Sequence, residues 1–202
     1  MLPHPLVLAS TSTYRKTMLE KLNLPFITAS PNTDETAFLN EKPEDLVLRL
    51  ASEKAQSIKS TYSNHLIIAS DQVATLEDGT ILTKPHTHEN AIKQLHSCSG
   101  RSVLFLTGLS LLNSSNNKQQ TIVEPFQVTF RTLSLSEIDH YLKIEQPYDC
   151  AGSFKVEGMG ICLFEKLSGD DFNSLIGLPL IRLLTLLRNE GVNPLKQTST
   201  TY

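Results

Sequence analysis

Apolar positions along this chain switch repeatedly between short continuous runs and helical spacing, which predicts strands alternating with helices. Residues 6–9 read as a buried strand that ends in Ser10-Thr11-Ser12. A helix is expected next, with Ser12 as its N-cap and Tyr14, Met18 and Leu22 at helical spacing. Residues 24–27 predict a second strand. Pro43 opens the clearest helix, with Glu44 and Asp45 in its first turn and an apolar stripe of Leu46, Val47, Leu50, Ala51, Ala55 and Ile58. Residues 65–73 form a β-branched run that reads as the central strand, delivering Asp71 to an edge or a cleft. Glu77-Asp78-Gly79-Thr80 is a hairpin turn returning through residues 81–83 to Lys84-Pro85, where the proline marks a strand end.

Thr87 is expected to cap a helix carrying Ala91, Ile92 and Leu95, closed by Gly100. Residues 103–112 and 121–131 read as strands flanking a polar hairpin tip at 113–117, and Phe126, Val128 and Phe130 alternate as a half-buried strand should. Ser134 with Glu137 forms a capping box before Ile138, Tyr141 and Leu142, and Pro147 stops that helix. Residues 161–164 read as a strand and 169–174 as a polar loop. The last helix has Pro179 in its first turn, Leu180, Leu183, Leu184 and Leu187 inward, and Gly191 past its end. The expected fold is α/β, with a mixed, partly antiparallel sheet and flanking helices bent around a central cleft. It is read as one domain over residues 1–195, with 196–202 as a frayed tail; the hairpins exclude a purely parallel sheet.

Composition narrows the function classes. At 202 residues, 40% hydrophobic and 19% charged, the chain is long enough for one sizeable core. A net charge of -3 argues against a broad nucleic-acid surface, so any anion site must be local. No apolar run is long enough to span a bilayer, and the first residues lack a secretory signal pattern. Cys98, Cys150 and Cys162 are odd in number and not spaced as metal pairs, which fits reduced thiols and a cytoplasmic address.

Candidate chemistry follows from residue type and placement. Asp71 on a rigid strand needs a cation, a metal or water, and suits metal binding or general-base work. A strand, a hydroxyl-rich turn and a helix start place Ser10, Ser12, Arg15 and Lys16 where phosphate oxygens could be held, or where an ordinary cap would sit. Glu35, in an acidic loop, is a second carboxylate for a divalent cation or a solvated turn residue. Lys54 sits inside the apolar stripe and either snorkels to the rim or points its ammonium into a cleft. Lys84 lies at a strand end, and Lys155 and Glu157 lie among the small residues of 150–160, which suit close approach by a ligand or simple turns. His86, His88 and His96 have no matched ligand partners. Two separated acids with Arg15, Lys54, Lys84 and Lys155 make a phosphoryl- or nucleotidyl-chemistry set with water as the simplest nucleophile.

The motif series then resembles a known family. Leu8-Ala9-Ser10-Thr11-Ser12, Asp34-Glu35, Glu53-Lys54-Ala55, Ser70-Asp71-Gln72, Lys84-Pro85, Ala151-Gly152-Ser153-Phe154 and Gly177-Leu178-Pro179 together resemble the Maf proteins over nearly the whole chain. These are nucleoside triphosphate pyrophosphatases also linked to septum formation. The resemblance is greatest to the branch that hydrolyses 7-methylguanosine triphosphate. It implies a Maf/ITPase-like mixed α/β fold and release of pyrophosphate with a divalent cation, Mg²⁺ or Mn²⁺. It matches Asp71 to the family's proton acceptor, Glu35 to an acid of the metal and catalytic centre, and Ser10, Arg15, Lys54 and Lys84 to phosphate-facing positions. The implied partner is a small nucleoside triphosphate, with no nucleic acid and no membrane; a homodimer is left open.

The commonest family pattern, Ser-x-Ser-Pro-Arg-Arg, is replaced here by Ser10-Thr11-Ser12-Thr13-Tyr14-Arg15. An aromatic face therefore stands where a cation would. The resemblance matches Tyr14, Gln72 and Glu157 to specificity positions. A base methylated at N7 is cationic, so Tyr14 would add a cation–π interaction of about 0.5–2 kcal/mol. Glu157 would accept from the guanine N1–H and amine, and Gln72 would read another edge. The rival readings are a dTTP/UTP or broader modified-nucleotide pyrophosphatase, and a nucleotide-binding regulator of cell division acting through a protein partner.

Overall fold

The computed structural model of the chain describes residues 3–196. β1 (Leu6–Ala9) is wholly buried and has parallel neighbours on both sides, which is why its sequence is continuously apolar. Ser12 caps α1 (Thr13–Glu20), its side chain accepting from the backbone N–H of Arg15. That helix turns Met18 and Leu19 inward and leaves Tyr14 exposed, so the inward face differs from the expected Tyr14–Met18–Leu22 stripe. β2 (Phe26–Ala29) starts two residues later than hydropathy predicts and pairs in parallel with β1, Leu6 opposite Phe26. Pro25 precedes it, and a proline has no N–H to offer a ladder.

α2 (Pro43–Ser57) follows the expected stripe, with Lys54 buried inside it. β3 (Leu66–Leu76) is parallel to β1 and runs well past its predicted end, so Asp71 stands in the middle of the strand. The polar triplet Ser70-Asp71-Gln72 resembles a strand end only while its partners are unknown. β4 (Ile81–Leu82) completes the Asp78-Gly79 hairpin, with Ala74 opposite Leu82. Thr87 caps α3 (His88–Cys98), and β5 (Ser102–Asn113) and β6 (Lys118–Phe130) flank the polar tip as expected.

α4 (Leu135–Glu145) opens with the full Ser134–Glu137 capping box and ends at Gln146 in a left-handed conformation. Residues 161–164 depart from expectation. Met159–Leu163 is a 3-10 turn, and β7 (Phe164–Gly169) begins only after it. Both Gly158 and Gly160 donate their N–H to the Lys155 carbonyl, which curls the segment before an extended strand can start. Part of the expected loop at 169–174 is the short α5 (Phe172–Ile176). α6 (Leu180–Asn189) has Pro179 as its N-cap and buries Leu186 rather than Leu184 beside Leu180, Leu183 and Leu187. Lys196 closes a 3-10 turn, and the remainder of the expected tail, 197–202, lies outside the described residues.

The mixed seven-stranded sheet has the order β2-β1-β3-β5-β6-β7, with β4 paired to β3. The chain divides into two compact units. The first takes the residues up to Asp71, Thr107–Glu124 and those from Gly177 on. Its core includes Val7, Ala9, Ala55, Ile67, Ala69 and Leu112. Gly108 on β5 is needed there, because a Cβ would come within 2.1 Å of the Val47 carbonyl oxygen on α2. The second unit, Gln72–Leu106 and Pro125–Ile176, has an aromatic core in which Phe154 meets Phe105, Phe130 and Phe164 edge-on. His88, which is half-buried, spans the hydroxyl of Tyr148 and the carboxylate of Asp139, each at 2.9 Å. No helix among the described residues is long and apolar enough to cross a membrane.

Candidate active site

Within the first unit, three elements bring charge to one point. Lys54 is carried inward by the apolar stripe of α2, and its residue is 5% exposed. Its Nζ lies 2.6 Å from Asp71 Oδ1 and 2.5 Å from Glu35 Oε1. Asp71 comes from the buried middle of β3, so its direction is set by the sheet. Glu35 comes from a segment without helix or strand, and its side chain remains 64% exposed. A buried carboxylate needs a paired cation, and Lys54 is that partner. The lysine on the stripe therefore points inward instead of snorkelling.

Arg15, in the first turn of α1, belongs to the same electrostatic neighbourhood. Burial lowers its guanidinium pKa, and the Asp71 and Glu35 carboxylates oppose that shift. Its Nε donates to the Gly177 carbonyl at 3.0 Å, and the hydroxyl of Ser70 donates to the same oxygen at 2.8 Å. Gly177 has φ +112°, and even a Cβ there would lie only 3.4 Å from Arg15 Nε. The turn after β1 adds hydroxyls: Ser10 Oγ accepts from Ser12 N–H at 3.1 Å, and Ser12 Oγ accepts from Arg15 N–H at 3.4 Å. A hydroxyl that accepts a backbone N–H can still donate to a phosphate oxygen.

Four residues expected at the site belong to the second unit. Gln72 follows Asp71 on β3, and its Nε2 donates to the carbonyls of Ser174 at 2.7 Å and Leu175 at 3.3 Å. Lys84 is exposed, two residues beyond β4. Lys155 donates its Nζ to the Glu145 carbonyl at 2.7 Å, at the C-terminal end of α4, where a cation complements the helix dipole. Glu157 is exposed on the loop between two 3-10 turns. Tyr14 belongs to the first unit, on the first turn of α1, and is 38% exposed.

Glu35, Lys54, Asp71 and Arg15 are therefore brought together, with Ser10 and Ser12 on the turn that leads to Arg15. Hydropathy gives no sign of the Ser70 and Gly177 contacts, because a backbone carbonyl has no sequence signature. Among the described residues, no group of three or more His, Cys, Asp or Glu is arranged to hold a metal ion. The two carboxylates on Lys54 nevertheless fit a hard divalent cation. Mg²⁺ takes one or two protein carboxylates and completes its shell with water and substrate phosphates.

Comparisons with known proteins place the chain among relatives. A 7-methyl-GTP pyrophosphatase of Colwellia psychrerythraea is 57% identical over 194 residues, covering 96% of each chain. The solved structure of the Ham1 protein of Staphylococcus aureus aligns with a TM-score of 0.50 at 12% identity, covering 92% of this chain and 99% of that one. At that identity the likeness concerns the mixed α/β fold alone. The family described as Maf-like protein matches residues 5–190, and the chain belongs to the Maf family.

Proposed function

We infer that this Maf-family chain is a nucleoside triphosphate pyrophosphatase, and propose 7-methyl-GTP as its substrate, with 7-methyl-GMP and pyrophosphate as products. The observation that carries the chemistry is the convergence of Glu35, Asp71 and Lys54, with Arg15 in the same field. The near full-length relative named 7-methyl-GTP pyrophosphatase supports the choice of base.

In the proposed reaction, a water attacks phosphorus and the anhydride bond between the α and β phosphoryl groups breaks. Asp71 takes the proton of that water, and pyrophosphate leaves. Lys54, Arg15 and Lys84 offset the charge on the triphosphate oxygens, and Ser10 and Ser12 donate to them. Glu35 and Asp71 would hold a divalent cation, Mg²⁺ or Mn²⁺, whose chemistry is to neutralise phosphate charge and acidify water. Lys54 keeps the two carboxylates close while no such charge is present, which limits their mutual repulsion.

Base selection is assigned to Tyr14, Gln72 and Glu157. The cationic methylated guanine suits an aromatic face and a carboxylate acceptor, whereas a neutral pyrimidine matches that carboxylate poorly. Gln72 is held by the Ser174 and Leu175 carbonyls, so its orientation is set before any base arrives. Lys155 is assigned to substrate binding only as a support of the loop that carries Glu157, because its ammonium is engaged at α4.

The test is pyrophosphate release by the purified protein with Mg²⁺ or Mn²⁺ on 7-methyl-GTP, GTP, dTTP and UTP. Release chiefly from the methylated nucleotide is expected. Preference for dTTP or UTP would keep the chemistry and overturn the base assignment. Release from none of the four would overturn the enzymatic reading.

A further inference from the structure

Glu35 is the exposed member of the charged centre, and the backbone that carries it has no regular structure. Residues 30–42 form neither helix nor strand, so no ladder of backbone bonds fixes the carboxylate. What orders the segment is a set of side-chain contacts centred on Arg49 of α2. The Arg49 fork takes Glu41 in two bonds, Nε to Oε1 at 2.7 Å and Nη2 to Oε2 at 2.8 Å. Nη2 also donates to the Thr36 carbonyl at 3.0 Å, and Nη1 to Glu53 Oε2 at 3.1 Å. The Phe38 ring lies under the guanidinium carbon, 3.9 Å from it.

The contact with Thr36 falls on the residue next to Glu35. The other side of that residue is held too, because Thr36 N–H donates to Asp34 Oδ1 at 2.9 Å. Glu41 turns the segment back by accepting from Phe38 N–H at 2.9 Å. Arg49 and Lys54 are five residues apart on α2, and so point about 140° apart around its axis. One face of α2 thus grips the segment while another presents the ammonium that Glu35 reaches. A rigid helix connects the grip to the charged centre.

We propose that Arg49 is a positioning residue for the reaction, clamping residues 36–41 onto α2 and thereby holding Glu35 at Lys54 and Asp71. The inference rests on the reading of Glu35 as an acid of the catalytic centre. A planar fork is required, since a lysine keeps the charge but cannot take a carboxylate and a carbonyl together in this geometry. Outer contacts that orient acidic ligands typically matter 10–100-fold in activity or metal affinity.

The test compares wild type, Arg49→Ala, Arg49→Lys, Glu35→Gln and the double variant Arg49→Ala/Glu35→Gln. Turnover of 7-methyl-GTP is measured together with amide hydrogen exchange over residues 34–41. Arg49→Ala is expected to lower kcat about 10–100-fold with a smaller change in KM, and to speed exchange in that segment. Arg49→Lys is expected to recover only part of the loss. Adding Arg49→Ala to Glu35→Gln is expected to change kcat less than twofold, because both act through one carboxylate. Losses that multiply in the double variant, full recovery by lysine, or unchanged exchange in Arg49→Ala would each overturn the clamp. If wild type splits none of the triphosphates, the proposed function falls. Exchange then decides the clamp alone: faster exchange in Arg49→Ala upholds the grip on the segment, and unchanged exchange removes it.

Discussion

The loops that carry Glu35 and Glu157 differ in how far backbone bonds hold them. The first is held by side chains, with Arg49 reaching across to Glu41, Thr36 and Phe38. The second folds back on its own backbone, with Gly158 and Gly160 N–H bonded to the Lys155 carbonyl, and adds side-chain contacts, among them the Glu145 carboxylate accepting from Met159 N–H. Lys155 N–H donates to the Tyr141 hydroxyl, and Lys155 Nζ donates to the last turn of α4. Side-chain clamps can be removed one atom group at a time, whereas the two bonds to the Lys155 carbonyl are backbone bonds that no side-chain truncation deletes directly. The carboxylate assigned to the reacting phosphates is thus held by removable contacts, and the one assigned to base reading projects from a fixed turn. Chemistry and selectivity should therefore respond to different mutations.

The largest effect should come from neither loop. Asp71→Asn keeps the shape of a residue in the middle of β3 and removes the charge that Lys54 faces. Turnover should fall about 10²–10⁴-fold, the usual range for loss of a general base. Circular dichroism should stay close to wild type, and the denaturation midpoint should fall less than on loss of Lys54, because Lys54 keeps Glu35 as a partner. A folded Asp71→Asn protein with near-normal turnover would remove Asp71 from the mechanism and leave the comparison without its fixed reference.

Lys54→Met should rank next, and chiefly in stability. It leaves the Asp71 carboxylate buried without its ammonium, and breaking a buried pair from one side costs about 3 kcal/mol. Urea unfolding would show this as a lower midpoint with an unchanged slope. Combining it with Asp71→Asn should return part of the lost stability, since the unpaired charge is then gone. If the two losses simply add, Lys54 stabilises the unit by packing instead of by pairing.

How far all this was legible in the sequence depends on how local the signal is. The Ser134–Glu137 capping box, the Asp78-Gly79 hairpin and the α2 stripe are read within a few residues, and each forms as expected. Asp71 was legible as a carboxylate needing a partner, but not as mid-strand. Ser70, Asp71 and Gln72 interrupt the apolar run, and their hydrogen-bond partners lie at Gly177, Lys54 and Ser174. The strand reading of 161–164 failed because apolar content cannot distinguish a strand from 3-10 turns folded onto a distant carbonyl. Arg49 was invisible for another reason: Glu41 lies outside the helix, so no helical spacing links them.

Selectivity should change with smaller energies and little change in fold. Tyr14→Ala should reduce the preference for 7-methyl-GTP over GTP by about 1 kcal/mol, the scale of a half-exposed cation–π contact, with an unchanged denaturation midpoint. Glu157→Gln should reduce the same preference in kcat/KM because a carboxylate acceptor becomes a neutral amide. If either substitution instead lowers kcat equally on both nucleotides, the division between a chemistry loop and a selectivity loop is wrong.

The smallest effect concerns pH and separates the Glu41 clamp from a backbone cap. The Arg49 guanidinium draws the Glu41 carboxyl down to about 2. The Ser134 backbone N–H, helped by the Ser134 hydroxyl and Arg131, draws Glu137 down to about 2 as well. Both folded pKa values lie below the unfolded carboxylate value of 4.5, so each contribution is complete above that pH and fades as pH falls toward 2. Glu41→Gln and Glu137→Gln should each lower the urea midpoint near neutral pH, and both differences should vanish in acid. Salt should then divide them. Screening weakens the guanidinium pair of Glu41 more than the neutral N–H and O–H bonds that lead at Glu137. Equal salt sensitivity would mean that Arg131 is the principal partner of Glu137, and that both carboxylates are held by side chains after all.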